Sequence, residues 1–316
     1  MDVLITGSSG LIGRGVTHAL EARGDRVVPL TRQPDHSPSW QPEQGKINGD
    51  LDGFDAVVHL AGEPLAAVRW TEAKKRRLRD SRIRATELLA GTLARLANKP
   101  AVLVSGSAVG YYGNRGREEL LDEHSTPGED FLATLCREWE AATTLASEAG
   151  IRVVNIRTGL VLSADGGVLA KLLLPFKLGL GGKLGSGRQY MSWISIVDEV
   201  RAILHVIDHA DISGPVNLTA PHPVTNEVFT KLLGEAVHRP AFVPLPSAVL
   251  RAGLGHELAD ELFLSGQRVF PKKLEASGFA FEYVTIESAL RGALASDSTG
   301  SAAPTATRSG APTGSG

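Results

Sequence analysis

Short apolar runs punctuate the first two-thirds of the chain. Val3-Leu4-Ile5, Ala56-Val57-Val58 and Val102-Leu103-Val104 are three of them. Between the runs, apolar residues recur at helical spacing, as from Leu11 to Leu20. The runs predict strands near residues 2–6, 26–31, 55–60, 101–106, 151–157 and 215–218. The intervening periodicity predicts helices near 11–23, 71–96, 130–149 and 196–209. Several strands are continuously apolar, which suits a parallel sheet covered on both faces. Strands alternating with helices imply an α/β fold: a doubly wound parallel sheet of the Rossmann type with right-handed crossovers.

After about residue 160 the pattern changes. Gly179, Gly181, Gly182, Gly185 and Gly187 crowd one segment, and helical patterns follow at 225–237, 246–253, 256–264 and 285–295. This divides the chain into a Rossmann domain over 1–160 and a smaller C-terminal substrate lobe with a helical module over 161–295. The strand near 215–218 returns to the main sheet. Residues 297–316 are almost all Ser, Thr, Gly, Ala and Pro. They cannot offset their ordering entropy, so they read as a disordered tail.

The first strand runs into Thr6-Gly7-Ser8-Ser9-Gly10-Leu11-Ile12-Gly13, which opens the first helix. A strand, a glycine turn and a helix N-terminus are what a dinucleotide pyrophosphate needs. Gly7 permits the tight turn, Gly10 lets the backbone approach the phosphates, and Gly13 lets the helix pack on the strand. The free N–H groups and dipole of the first helical turn face the anion. At the end of the second strand stands Leu30-Thr31-Arg32, with no acidic residue to read a ribose 2′-hydroxyl. Arg32 suits a 2′-phosphate through its planar fork, and Thr31 adds a hydroxyl, so the expected cofactor is NADP. Arg32 as an ordinary loop cation is the competing reading.

Charge and composition narrow the class. Thirty-three basic residues against thirty-five acidic ones give no excess charge to drive nucleic-acid or membrane binding. The lone cysteine, Cys136, cannot form an internal disulfide and suits a reducing cytoplasm. The N-terminus reads as a strand rather than a signal peptide, and no apolar run has the length of a membrane span. The nine histidines show no metal-ligand spacing, so no metal is expected.

The Gly7, Gly10 and Gly13 spacing resembles the extended branch of the short-chain dehydrogenase/reductase superfamily, which holds epimerases and dehydratases. His59-Leu60-Ala61-Gly62 at the end of the third strand and Ser105-Gly106-Ser107 at the end of the fourth follow in that branch's order. Gly185-Ser186-Gly187-Arg188-Gln189-Tyr190, leading to Trp193-Ile194 and Asp198, resembles its substrate segment. Ser107 to Gly113, Ala61-Gly62-Glu63-Pro64, Arg69-Trp70, Ser81-Arg82 and Pro271-Lys272-Lys273-Leu274 resemble one atypical group, usually labelled "epimerase family protein". The resemblance covers residues 1 to about 295. It implies an NADP-binding fold and leaves reaction and substrate open. It also implies cofactor contacts from Gly7, Ser9, Gly10, Leu11, Ile12, Gly13, Thr31, Arg32, Leu60, Ala61, Gly62 and Ser105.

The chemistry departs from that branch. Its mechanism uses a Tyr with a Lys four residues later, the Lys charge lowering the Tyr pKa. None of the four tyrosines here has that Lys. Aligned on Glu140, the Tyr position is Leu132 and the Lys position is Cys136, and Arg82 falls where Asn is usual. Candidate catalytic groups are Ser107, Tyr111 and Glu63. Ser107 is either a substrate hydrogen-bond partner or a turn cap. Tyr111 and Tyr112 are either proton donors or an aromatic wall. Glu63 is an acid, a base, a hydroxyl acceptor or a helix cap. Cys136 reads most simply as a small buried apolar residue. Arg188, Tyr190 and Asn217 are the candidate substrate contacts, with Arg188 as a solvated loop cation the alternative. Trp193 is expected in the core, Asp198 as a helix cap, and Arg157 facing the cleft as an anchor between lobes. The best-supported activity is NADP-dependent oxidoreduction or epimerisation of a small polar substrate. A catalytically silent NADP-binding protein that senses redox state or presents a surface to a partner is the alternative.

Overall fold

The computed structural model describes residues 1–65, 69–115 and 119–299. A six-stranded, all-parallel sheet forms from β1 (Asp2–Thr6), β2 (Arg26–Pro29), β3 (Ala56–His59), β4 (Val102–Ala108), β5 (Arg152–Thr158) and β6 (Gly214–Leu218). Its spatial order is β6-β5-β4-β3-β1-β2. The order reverses between β1 and β3, and in such sheets that switch point opens a crevice at the strands' carboxyl ends.

Successive residues of each strand bury opposite faces. Val3 and Ile5 join α1 (Leu11–Ala22) and later helical residues such as Ile203 and Val206 in one core. Leu4, Val57, Leu103 and Val153 join Leu89 and Leu93 in the other. This two-sided burial explains why the strand sequences are apolar runs rather than alternating ones. The expected helix over 71–96 is two helices, α2 (Glu72–Asp80) and α3 (Ile83–Leu93), broken at Ser81-Arg82. α4 (Phe131–Ala141) begins behind Asp130, whose carboxylate accepts from the Ala133 N–H at 2.9 Å.

The segment after β5 holds α5 (Gly167–Lys177), which the sequence pattern did not predict. Its sequence is apolar almost all round and carries Pro175, so it lacks a helical stripe to read. α6 (Ile196–Asp208) follows, then β6, α7 (Asn226–Ala236), α8 (Ser247–Leu254) and α9 (Ile286–Thr299). Trp193 is wholly buried among Leu162, Phe176, Phe229 and Leu290 in this part's own core. The N-cap of α6 is Ser195 rather than Asp198, its hydroxyl accepting from the Asp198 N–H at 2.9 Å. The buried Asp198 carboxylate instead receives the backbone N–H groups of Glu282 and Tyr283, tying the C-terminal segment to α6. α9 reaches into the stretch expected to be disordered, and residues 300–316 of that stretch lie outside the described residues.

Candidate functional site

Three glycines build the turn after β1. Gly7 has φ +72°, and a Cβ there would come 2.8–2.9 Å from the backbone of Leu60 and Ala61. A Cβ on Gly13 would come 2.1 Å from the Gly7 carbonyl oxygen, so helix and turn touch only because it is absent. Gly10 is different: its Cβ would meet only the Gly7 oxygen, at 3.2 Å, so its other side is open. Gly10 is the N-cap of α1, no side chain caps the helix, and its first turn holds no acidic residue. The N–H groups of Leu11, Ile12 and Gly13 therefore form a bare, positively polarised helix end. An anion such as a dinucleotide pyrophosphate fits this cradle. Ser9 is exposed at the turn, its carbonyl accepting from Arg14 Nη1 at 2.8 Å.

A buried polar chain fixes the neighbouring strand end. Thr6 Oγ1 and His59 Nδ1 are 2.7 Å apart, and His59 Nε2 and Thr86 Oγ1 are 2.9 Å apart. Trp139 Nε1 donates to the same Thr86 hydroxyl, and the Ala61 N–H donates to Thr6 Oγ1. Burial pushes the His59 pKa down to about 4, so its ring is neutral. This chain sets the path of Leu60, Ala61 and Gly62 beside the glycine turn. Nothing in the local sequence marks it, because His59 reads as the last residue of an apolar run.

On the other side of the crevice, Thr31 bridges to Ser39, and its hydroxyl accepts from the Gln33 N–H. Arg32 reaches Glu43 at 3.2 Å, both side chains well exposed. Ser105 lies within β4 between His59 and Asn155, fully buried, its hydroxyl without a partner among the described residues.

At the ends of β4, β5 and β6 the polar groups are closely engaged. The Ser107 hydroxyl donates to Glu140 Oε1 at 2.7 Å. Arg157 binds both oxygens of the same carboxylate, from Nε and Nη2, at 2.8 Å each. Its Nη1 donates to the Tyr112 hydroxyl at 3.0 Å, and that hydroxyl donates to Asn217 Oδ1 at 2.7 Å. Asn217 Nδ2 in turn donates to the Phe270 carbonyl. Asn217 is fully buried with both ends of its carboxamide engaged, so it belongs to this interior network and presents no group to the cleft. Tyr111 is half-buried, and the Arg157 Cζ lies 3.4 Å from its ring centroid.

Electrostatics separate these groups. Burial pushes the Tyr112 pKa up to about 12, so its hydroxyl stays protonated near neutrality. Burial, with the Glu140 charge, pushes the Cys136 thiol up to about 12, in keeping with an inert buried residue. The hydrogen bond from Lys74 holds Glu63 below its ordinary value, with help from Arg77. Lys74 Nζ is 2.6 Å and Arg77 Nε 3.2 Å from Glu63 Oε1. Glu140, Lys74 and Arg77 were not singled out by sequence. The available signal was Cys136 and Glu140 standing four apart on one face of α4.

The C-terminal module closes over this region. Glu261 accepts from the Phe131 and Leu132 N–H groups at the start of α4, at 3.2 and 3.0 Å. Lys75 pairs with Glu257 at 3.0 Å, and Arg69 donates to the carbonyls of Ala252 and Gly253. Tyr190 opens a short strand paired with Val224–Thr225, with Arg268 Cζ 5.0 Å from its ring. Arg188 is exposed and forms no ion pair among the described residues. No described helix is long and apolar enough to cross a membrane. Among the described residues no cluster of His, Cys, Asp or Glu could hold a metal ion.

Known proteins resemble this chain in sequence and fold. Residues 245–293 match a domain of unknown function. The chain is 49% identical over 292 residues to an epimerase family protein of Mycobacterium bovis, covering 91% of this chain and 96% of that protein. It is 37% identical to a chloroplastic epimerase family protein of Arabidopsis thaliana, covering 92% and 86%. The crystal structure of human epimerase family protein SDR39U1 with NADPH superposes with a TM-score of 0.86 at 35% identity, covering 92% of this chain and 98% of that one. Residues 3–218 match the NAD dependent epimerase/dehydratase family, and the chain belongs to it.

Proposed function

We propose that this protein binds NADP(H) across the crevice and acts as an oxidoreductase or epimerase-like enzyme on a small polar substrate. The observation that carries the reading is the glycine cradle, with its uncapped helix end, beside a second strand that ends without a carboxylate. The structural likeness to a protein crystallised with NADPH supports the same cofactor. Leu11, Ile12 and Gly13 bind the pyrophosphate through backbone N–H groups, and Leu60, Ala61 and Gly62 line its path. Arg32 leaves Glu43, an exposed partner worth little, to meet the 2′-phosphate. The bound nicotinamide supplies or accepts a hydride. Ser107 and Tyr111 face the reacting end, and Arg188 and Tyr190 meet the substrate. A cytoplasmic setting is part of this proposal; the chloroplastic relative shows that the family is not confined to it.

The second reading, a catalytically silent NADP(H) sensor, is favoured by one specific feature. Glu140, Arg157 and Tyr112 satisfy one another, Glu63 is held by two cations, and the positions of the family's Tyr and Lys hold Leu132 and Cys136. Titration of NADPH and NADH by intrinsic fluorescence, on wild type and Arg32→Asp, tests the shared premise. NADPH should bind more tightly to wild type, and the variant should reverse the order. Equal affinities unchanged in Arg32→Asp would refute the role given to Arg32. Loss of reduced-nicotinamide absorbance on adding cell extract with NADPH then separates enzyme from sensor.

A further inference from the structure

Arg82 lies at the break between α2 and α3, and its side chain turns inward, leaving the residue 8% exposed. Nη2 donates to the Glu63 carbonyl at 3.0 Å and Nη1 to the Leu78 carbonyl at 3.3 Å. A Cβ on Gly62 would come within 3.3 Å of the Arg82 Cζ, so the guanidinium lies against that glycine. Its Cζ is also 5.1 Å from the Trp139 ring centroid. Arg82 forms no ion pair among the described residues, and the Glu63 charge acts on it only without direct contact. Glu63 is held by Lys74 and Arg77, and Glu140 by Arg157. Burial pulls the Arg82 pKa down, but a guanidinium stays charged at neutral pH.

A buried cation without a direct ion pair is costly to fold around, and such departures concentrate where function needs them. The pyrophosphate cradle is at the start of α1, and the 2′-phosphate readers are at the end of β2. An extended dinucleotide then directs its nicotinamide half the other way, over the ends of β3 and β4. Those strand ends lead to Gly62 and Ser107. Cys136, at the family's Lys position, is a neutral thiol, while Arg82 sets a positive charge directly against Gly62 that no carboxylate neutralises by an ion pair among the described residues.

We infer that Arg82 makes the site select the reduced cofactor over the oxidised one. The inference rests on the proposed binding of NADP(H) in this crevice. The oxidised nicotinamide ring carries a positive charge and the reduced ring is neutral. A fixed cation in weakly screened surroundings therefore penalises the oxidised form alone.

NADPH and NADP⁺ are titrated separately into wild type, Arg82→Met and Arg82→Lys by intrinsic fluorescence, with a melting curve for each protein. Wild type should bind NADPH about tenfold or more tightly than NADP⁺. The ratio should fall toward unity in Arg82→Met and be retained in Arg82→Lys. A purely structural Arg82 would weaken both forms alike, and an unchanged ratio in folded Arg82→Met overturns the inference. Should Arg82→Met fail to fold, the wild-type ratio decides: equal affinity for the two forms also overturns it. Binding of neither form by wild type would instead count against the proposed cofactor site.

Discussion

The guanidinium of Arg157 meets the Glu140 carboxylate through two parallel hydrogen bonds of 2.8 Å, with side chains only 3% and 12% exposed. Two parallel bonds fix orientation as well as distance. The pair joins α4 to β5, and through it Ser107, Tyr112 and Asn217 acquire fixed places. Burial would pull the Arg157 pKa down, but the Glu140 hydrogen bonds and charge hold it above its ordinary value.

Replacing Glu140 by Gln should therefore destabilise the protein by about 3–5 kcal/mol, because it strands a buried cation. The double variant Glu140→Gln/Arg157→Met should recover part of the loss, since it removes the unpaired charge. Chemical denaturation measures both. A Glu140→Gln protein as stable as wild type would mean that solvent already reaches Arg157.

The three glycines should fail in different ways. Gly13→Ala puts a carbon 2.1 Å from the Gly7 oxygen, so it should lower the melting temperature before any ligand is considered. A Cβ at Gly10 meets only the Gly7 oxygen, so in Gly10→Val the fold should survive with a small melting shift, while NADPH affinity collapses. Wild-type affinity in a folded Gly10→Val protein would remove the pyrophosphate from this turn.

Cys136 should resist alkylation. With its pKa pushed up to about 12 and its side chain buried, native protein at about pH 8 should react with iodoacetamide far more slowly than unfolded protein. Fast modification of the folded protein would return Cys136 to the list of reactive groups.

Glu199 gives a pH signature. It is fully buried, Thr158 donates to Oε1 at 2.8 Å, and Oε2 has no partner among the described residues. Burial raises its pKa from 4.5 to about 8, so the fold favours the neutral acid. That preference stabilises the protein fully below the unfolded value and is lost as pH rises through the folded one. Melting temperature should accordingly fall between about pH 5 and about pH 8, and Glu199→Gln should flatten the fall. A wild-type slope that persists in Glu199→Gln would assign it to another group.

The sheet was legible in the sequence because its inner strands are buried on both faces, which leaves an apolar run that local composition reveals. The glycine turn was legible because Gly7 and Gly13 stand where the backbone leaves no room for a Cβ. The polar network was not. Glu140, Arg157 and Asn217 meet from α4, β5 and β6, and nothing in their local sequence marks a contact made across so many residues. Asn217 looked available to a ligand for that reason, and tertiary packing consumed both ends of its amide. Arg82 was visible as a departure from the family pattern. That its charge is buried without an ion pair among the described residues is a three-dimensional fact.

The late return of β6 has a consequence for how the chain is made. The sheet leaves β5 at Thr158 and gains its last strand only at Gly214, after a long excursion. During synthesis the β5 edge stays open, and Tyr112 waits without Asn217, until that excursion has left the ribosome. A fragment ending near residue 160 would keep this edge permanently exposed, and an unpaired strand edge invites pairing with other chains. The cofactor turn lies away from this edge, so the part of the sheet encoded first carries the cradle while the part completed last carries the Arg157 network.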